Sequence, residues 1–150
     1  MIIATMIILL LATVTSGLTA GLFWAFGYAV MPALRRTDDR TFAEVMNQIN
    51  VVILNGWFAL CFGGAAIFGV LAVIVVAVGG SAALPWTITA VAVYAASLII
   101  TFAVNIPLNN ALASTSQRAA FEGRWNRANV LRATGHTIAF VAFGTALLVY

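Results

Sequence analysis

Charge is what this chain most lacks. Only 7% of its 150 residues are Asp, Glu, Lys or Arg, against 63% hydrophobic residues, where a soluble domain carries about a quarter charged residues. That shortage excludes a water-facing exterior and leaves the lipid bilayer as the solvent. No carboxylate lies inside any long apolar tract, which excludes a proton-coupled carrier built on an intramembrane Asp or Glu. Cysteine is almost missing: Cys61 stands alone, so it makes no internal disulfide and no metal set and reads as a small apolar side chain. Histidine is as scarce. The single His136 cannot build a bis-histidine haem site, and no Cys, His or carboxylate stands at metal-ligand spacing from it. The expectation is therefore no metal and no other cofactor. A Gly-rich phosphate loop, a Ser-His-Asp arrangement and HExxH are also missing.

What the chain has instead is apolar length. Met1 to Leu34, Val51 to Gly79 and Leu84 to Val104 each reach the roughly 20 helical residues that cross a hydrocarbon core. A fourth tract, Ala133 to Tyr150, is shorter, with Arg132 at its entrance, where a long cationic side chain can snorkel. A transmembrane barrel would need strands that alternate apolar and polar, and these tracts are apolar on every side. The expected fold is all-α: one domain, residues 1–150, forming an integral membrane four-helix antiparallel bundle. The opening "MIIATMIILLLATVTSG" has no basic n-region and runs on to Phe26 and beyond, so it reads as a retained span rather than a signal peptide.

The charges fall in two connections. Arg35, Arg36, Asp38, Asp39, Arg40 and Glu44 follow the first span, and Arg118, Glu122, Arg124, Arg127 and Arg132 precede the fourth. In a four-span chain both connections lie on one side, and the opposite side has no side-chain charge. The positive-inside bias then places the charged loops in the cytoplasm and both termini outside, in a multi-pass protein of the plasma (inner) membrane. The arginines flank spans rather than forming a basic stripe on a soluble domain, so no nucleic-acid partner is expected.

"TFAE" at 41 to 44 and "STSQ" at 114 to 117 both fit the capping box, in which a hydroxyl and a carboxylate or amide satisfy each other's orphan backbone donors. They predict a second helix from about 42 to 78 and a fourth from about 115 to 150, both extended on the cytoplasmic side. In the first helix Thr13, Gly17, Gly21, Ala25 and Ala29 recur every fourth residue. A small-residue stripe lets helices approach closely. Packing within the bundle and a homodimer through the Gly17/Gly21 face are its two uses.

At 100° per residue Arg118, Trp125, Asn129, Arg132 and His136 fall within about 60° of one another on one helical stripe. Glu122 is placed to pair with Arg118 at i and i+4. Arg124 and Arg127 point elsewhere, as phospholipid anchors would. The third span ends in "NIPLNN", where Asn105 and Asn109 share a face and Pro107 between them strips the backbone acceptors near Ala103 of their partner. On the second helix Asn47, Asn50 and Trp57 share a broad face. Two readings stay open. The polar groups are interhelical glue with tryptophans as belt residues, or they line a pocket, since an intramembrane polar residue carries a cost that needs a use. For His136 a structural role, an acid–base role and a ligating role all remain open.

"GLFWAFGYAVMPAL", "NIPLNN" and "FEGRWNRANVLR" together resemble the anthrone oxygenase-like family of small four-span membrane proteins. The resemblance rests on Gly21, Phe23, Pro32 and Leu34, on Asn105, Pro107, Leu108 and Asn109, and on Phe121, Glu122, Trp125, Arg127, Asn129 and Arg132. It implies an enzyme that converts an anthrone to an anthraquinone with dioxygen, without metal or flavin. The physical logic is removal of an activated C–H proton to give a delocalised carbanion that reduces dioxygen, with arginine or asparagine donors on the enolate oxygen. The expected function is binding, and oxidation, of an aromatic, anthrone- or quinone-like small molecule. His136 and Arg132 are the catalytic candidates, and Asn105, Asn109, Trp125, Asn129, Asn50 and Trp57 the substrate-binding ones. His136 comes from the residues alone, outside the family pattern. The alternative function is a non-enzymatic accessory protein held together by the same cluster, and a small-solute permease is least favoured.

Overall fold

The structure, a computed structural model, describes residues 2–150; Met1, the start of the first apolar tract, lies outside them. Five helices follow in order: α1 (Ile2–Leu34), α2 (Asp39–Val52), α3 (Gly56–Val78), α4 (Leu84–Thr115) and α5 (Arg118–Val149). All but α2 are long and apolar enough to cross a membrane. The chain is a multi-pass, all-helical integral membrane protein. α5 packs on α1 and α4, and α3 closes the ring by packing on the same two helices.

The end of the bundle that carries the termini is sealed by small residues. Ala12, Ala72, Ala90, Ala142 and Ala146 pack with Leu9, Val76 and Phe143 in one cluster, which brings backbones close enough to gain dispersion energy that lipid cannot supply. A methyl group on Gly17 would meet the Phe140 ring at 2.9 Å, whereas one on Gly21 would meet nothing within 4 Å. Half of the Gly17/Gly21 face is therefore already filled by α5 of the same chain, and only Gly21 is open to the surroundings.

At the charged end the helix expected over 42–78 is two helices. Asn55 breaks it: its backbone is extended, its Oδ1 accepts from the Trp57 and Phe58 amides at 3.0 and 3.1 Å, and its Nδ2 donates to the Val52 carbonyl at 2.9 Å. One short amide side chain thus closes α2 and caps α3, the local competition with backbone bonding at which Asn excels. Asn55→Ala removes both caps. The expected loss is about 1 kcal/mol of stability, read by thermal unfolding in lipid nanodiscs.

The capping boxes are not used. The α2 cap is Asp38, whose carboxylate accepts from the Thr41 amide at 3.0 Å and the Thr41 hydroxyl at 2.6 Å, while Glu44 pairs with Arg40 at 2.7 Å. Aspartate three residues upstream leaves Thr41 inside the first turn. At "STSQ" α4 runs through Thr115 and stops at Ser116, whose φ of 54° is left-handed, and α5 starts at Arg118 without a side-chain cap. The Thr41 hydroxyl, then its amide, hold the Asp38 carboxyl below the ordinary carboxylate pKa. Because the folded value is depressed, this contribution is complete above the unfolded pKa and is lost as pH falls through the folded one. Amide protection in the first turn of α2, taken relative to the intrinsic exchange rate at each pH, therefore falls on acidification through that range, and does so less in Asp38→Asn.

α2 is amphipathic and lies across the charged end. It packs Phe42, Ala43 and Met46 on Leu108 and Leu112 of α4 and on Phe121 and Trp125 of α5. Three spans loosen at this level into a π-helical turn: Phe26–Val30 in α1, Ala59–Gly63 in α3 and Thr101–Asn105 in α4. Two of them stand just before prolines, Pro32 and Pro107. A proline cannot donate to the carbonyl four residues back, and the helix responds by slipping to i→i+5 bonds, Met31 N–H to Phe26 C=O and Ile106 N–H to Thr101 C=O. The third precedes Gly64, whose amide reaches the Ala59 carbonyl. Such turns gather at functional sites, and these frame the cavity described next.

Candidate functional site

Arg118 fastens the charged end. Its guanidinium donates to the carbonyls of Thr37 at 2.9 Å and Arg35 at 3.1 Å and to Glu122 at 2.8 Å, while Arg35 reaches the same carboxylate at 2.8 Å. The i, i+4 pair expected from the sequence thus latches the α1–α2 turn to α5. Arg124 and Arg127 are exposed.

Above the latch lies a cavity of about 380 Å³ bounded by α1, α3, α4, α5 and the end of α2. Trp125 is its platform. The indole N–H donates to Asn109 Oδ1 at 2.8 Å, the Trp125 carbonyl accepts from Asn105 Nδ2 at 3.5 Å, and Phe121 and Phe26 pack beside the ring at 5.8 Å each. One turn on, Asn129 Nδ2 donates to the Phe23 carbonyl of α1 at 3.0 Å. Gly27 lies beside that amide, and a methyl there would stand 3.7 Å from it, an ordinary contact. Asn129 Oδ1 in turn receives Arg132 Nε at 3.2 Å and Nη2 at 3.0 Å. Arg132 is 6% exposed, and its guanidinium lies 3.9 Å over the Phe23 ring and 5.2 Å from Trp125. Among the described residues no carboxylate pairs with it.

Asn50, Asn105, Asn109, Trp125 and Arg132 all line this cavity. Asn129 stands behind Arg132 and orients it. Trp57 is elsewhere: it is 79% exposed on the outer surface and absent from the lining, because the break at Asn55 turns α3 away from the face that one continuous helix would have shared. His136 is 0% exposed and one ring layer behind the lining. Phe23 stacks on it at 5.1 Å, Tyr94 packs at 4.6 Å and Phe62 at 6.1 Å, and among the described residues neither imidazole nitrogen has a hydrogen-bond partner. Much of the lining is aromatic: Phe23, Phe26, Phe58, Phe62 and Phe102. Four of these went unsingled from the sequence, since a phenylalanine in an apolar tract faces lipid as readily as a cavity. Only Phe23 carried a signal, as one of the residues on which the family resemblance rests.

α3 and α4 pack on each other between Gly64–Val78 and Leu84–Ile100 and diverge towards the charged end. The opening there is rimmed by the exposed apolar side chains of Leu54, Phe102 and Ile106, with Asn110 beside them. A family model of anthrone oxygenase matches residues 56–142, the segment that holds α3, α4 and most of α5. The chain belongs to the anthrone oxygenase family. No curated protein and no solved structure matches it. The family segment carries Asn105, Asn109, Trp125, Asn129, Arg132 and His136, while Phe23 and Phe26 of α1 and Asn50 of α2 complete the cavity from outside it.

Proposed function

We propose that this member of the anthrone oxygenase family takes an oxygen-bearing polycyclic aromatic, an anthrone or a quinone-like relative, from the bilayer and oxidises it with dioxygen without metal or flavin. The supporting observation is Arg132. A guanidinium buried at membrane depth is expensive and is normally paired, yet this one touches only an amide oxygen and two aromatic faces and lines a cavity. The counter-charge is the ligand's. An anthrone that loses a C–H proton places negative charge on its carbonyl oxygen, and a fixed cation in a dry site stabilises that charge without reorganisation.

The proton goes to an imidazole nitrogen of His136, the chain's sole histidine, and the electron pair of the broken C–H bond spreads over the ring system onto the oxygen held by Arg132. The carbanion carbon then reduces dioxygen and forms a C–O bond. Loss of water from the resulting hydroperoxide leaves a carbonyl, so one anthrone and one dioxygen give one anthraquinone and one water. Trp125 and the phenylalanines supply the flat apolar walls, and Asn109 and Asn50 supply polar groups toward the mouth. The charged end faces the cytoplasm in this reading, so the opening between α3 and α4 admits ligand from the inner leaflet.

A purely structural role for the cluster is favoured by the asparagine bonds that join helices, Asn129 to Phe23 and Asn105 and Asn109 to Trp125. That role leaves Arg132 without a use. The test is dioxygen uptake with a hydroxyanthrone by protein in lipid nanodiscs. Quinone formation in step with uptake, above the anthrone's spontaneous oxidation and abolished in Arg132→Gln, supports the oxygenase. Uptake no faster than in empty nanodiscs refutes it.

A further inference from the structure

We propose that Phe62 is a movable shutter between the cavity and His136, a positioning residue that decides whether the imidazole can reach a bound ligand. The proposal deepens the oxygenase reading and rests on it for its meaning in catalysis.

Three rings enclose His136, and two of them are held. Phe23 is clamped between the Arg132 guanidinium at 3.9 Å and the imidazole at 5.1 Å, and its carbonyl is fixed by Asn129 at 3.0 Å. Tyr94 is 2% exposed and anchored by its hydroxyl, which donates to the Phe62 carbonyl at 2.7 Å. Phe62 differs. Its backbone is the anchor for Tyr94, while its half-buried side chain packs on rings: Phe58 stacked at 4.9 Å and 14°, Phe23 edge-on at 6.0 Å, His136 edge-on at 6.1 Å and Tyr94 tilted at 6.3 Å.

The chain around it is suited to movement. Phe62 lies in the π-helical turn Ala59–Gly63, and a methyl on the adjacent Gly63 would meet nothing within 4 Å. Phe58 and Phe62 both line the cavity on the helix that borders its opening, so an entering ring system meets this stacked pair. Displacing the Phe62 ring opens a path from the cavity to the imidazole. Displacing the Phe23 ring would instead strip Arg132 of the aromatic face 3.9 Å beneath its guanidinium. The shutter also gives the buried imidazole a use, since its two unpartnered nitrogens are otherwise a desolvation cost without return.

A single histidine makes the test direct. Diethyl pyrocarbonate modifies an accessible imidazole nitrogen, and the modified residue is read by ultraviolet absorbance and mass spectrometry in nanodiscs. In the wild type His136 is protected relative to N-acetylhistidine. Phe62→Ala raises the modification rate by about tenfold or more, Phe62→Leu raises it by less, and Phe62→Tyr restores protection, as the open population sets the rate. Phe143→Leu, in the cluster at the other end, leaves protection as in the wild type. Unchanged protection in both Phe62→Ala and Phe62→Leu overturns the shutter, and so does equal exposure in Phe143→Leu. The labelling needs neither ligand nor turnover, so absence of dioxygen uptake leaves its result standing, and a protected Phe62→Ala sinks the shutter even where uptake is observed.

Discussion

Arg132→Met binds a hydroxyanthrone about 10- to 150-fold more weakly than the wild type, the range of a lost hydrogen bond to a charged donor, while its thermal stability in nanodiscs stays close to the wild-type value. The near-neutral stability follows from two opposed terms. Removing an intramembrane guanidinium relieves roughly 3 kcal/mol on insertion scales. Leaving Asn129 Oδ1, which accepts from Arg132 at 3.2 and 3.0 Å, without a donor costs about 1–3 kcal/mol. Methionine keeps the unbranched apolar stem of the side chain, and its flexible thioether packs well beside aromatic rings. If the cluster were glue alone, Arg132→Met would bind the hydroxyanthrone no more weakly than the wild type does. Isothermal calorimetry and scanning fluorimetry on the same samples read the two quantities separately.

Gly135→Ala acts on stability instead. A methyl group there would run into Ser97 Oγ of α4, with Ser97 Cβ at 3.5 Å and Val93 Cγ1 at 3.7 Å behind it. The hydroxyl is held in place by its bond to the Val93 carbonyl at 3.1 Å. Overpacking this α4–α5 contact costs about 1–3 kcal/mol, partly offset by the better helix propensity of alanine. In a Ser97→Ala background the oxygen is gone and the remaining neighbours are at ordinary contact distance. The same substitution is then neutral or stabilising by up to about 1 kcal/mol. A double-mutant cycle by thermal unfolding checks the change of sign, and equal destabilisation in both backgrounds would place the strain elsewhere.

These two residues also mark how far the sequence could be read. The four spans were legible because lipid demands long apolar helices with internally bonded backbones, and the buried stripe of α5 was legible because helical geometry fixes which residues share a face. Trp125, Asn129, Arg132 and His136 are all buried in the structure, as that spacing implied. The Arg118–Glu122 pair followed from the same geometry. What escaped was where a helix stops being regular. Asn55 read as one more polar residue within a span, yet it ends one helix and begins another, and this carried Trp57 to the outer surface. Pro107 announced unmet acceptors, but not that three helices would loosen into π turns around one cavity. Depth within a face was equally invisible. His136 belongs to the stripe and still lies behind Phe23 and Phe62, because sequence spacing fixes direction and leaves the thickness of intervening rings undetermined. Ser97 opposite Gly135 is a contact between helices, which no single-helix pattern encodes.

The claim on which the rest depends is that the buried cation waits for an oxygen on a flat ligand. It is tested most directly by titrating protein in nanodiscs with a hydroxyanthrone and with anthracene, an oxygen-free ring system of similar size, following quenching of tryptophan fluorescence in the wild type and in Arg132→Met. The account predicts that the hydroxyanthrone binds the wild type about tenfold or more tightly than anthracene does and that Arg132→Met erases the difference. Equal affinity for both molecules in the wild type, or a preference that survives in Arg132→Met, would contradict it.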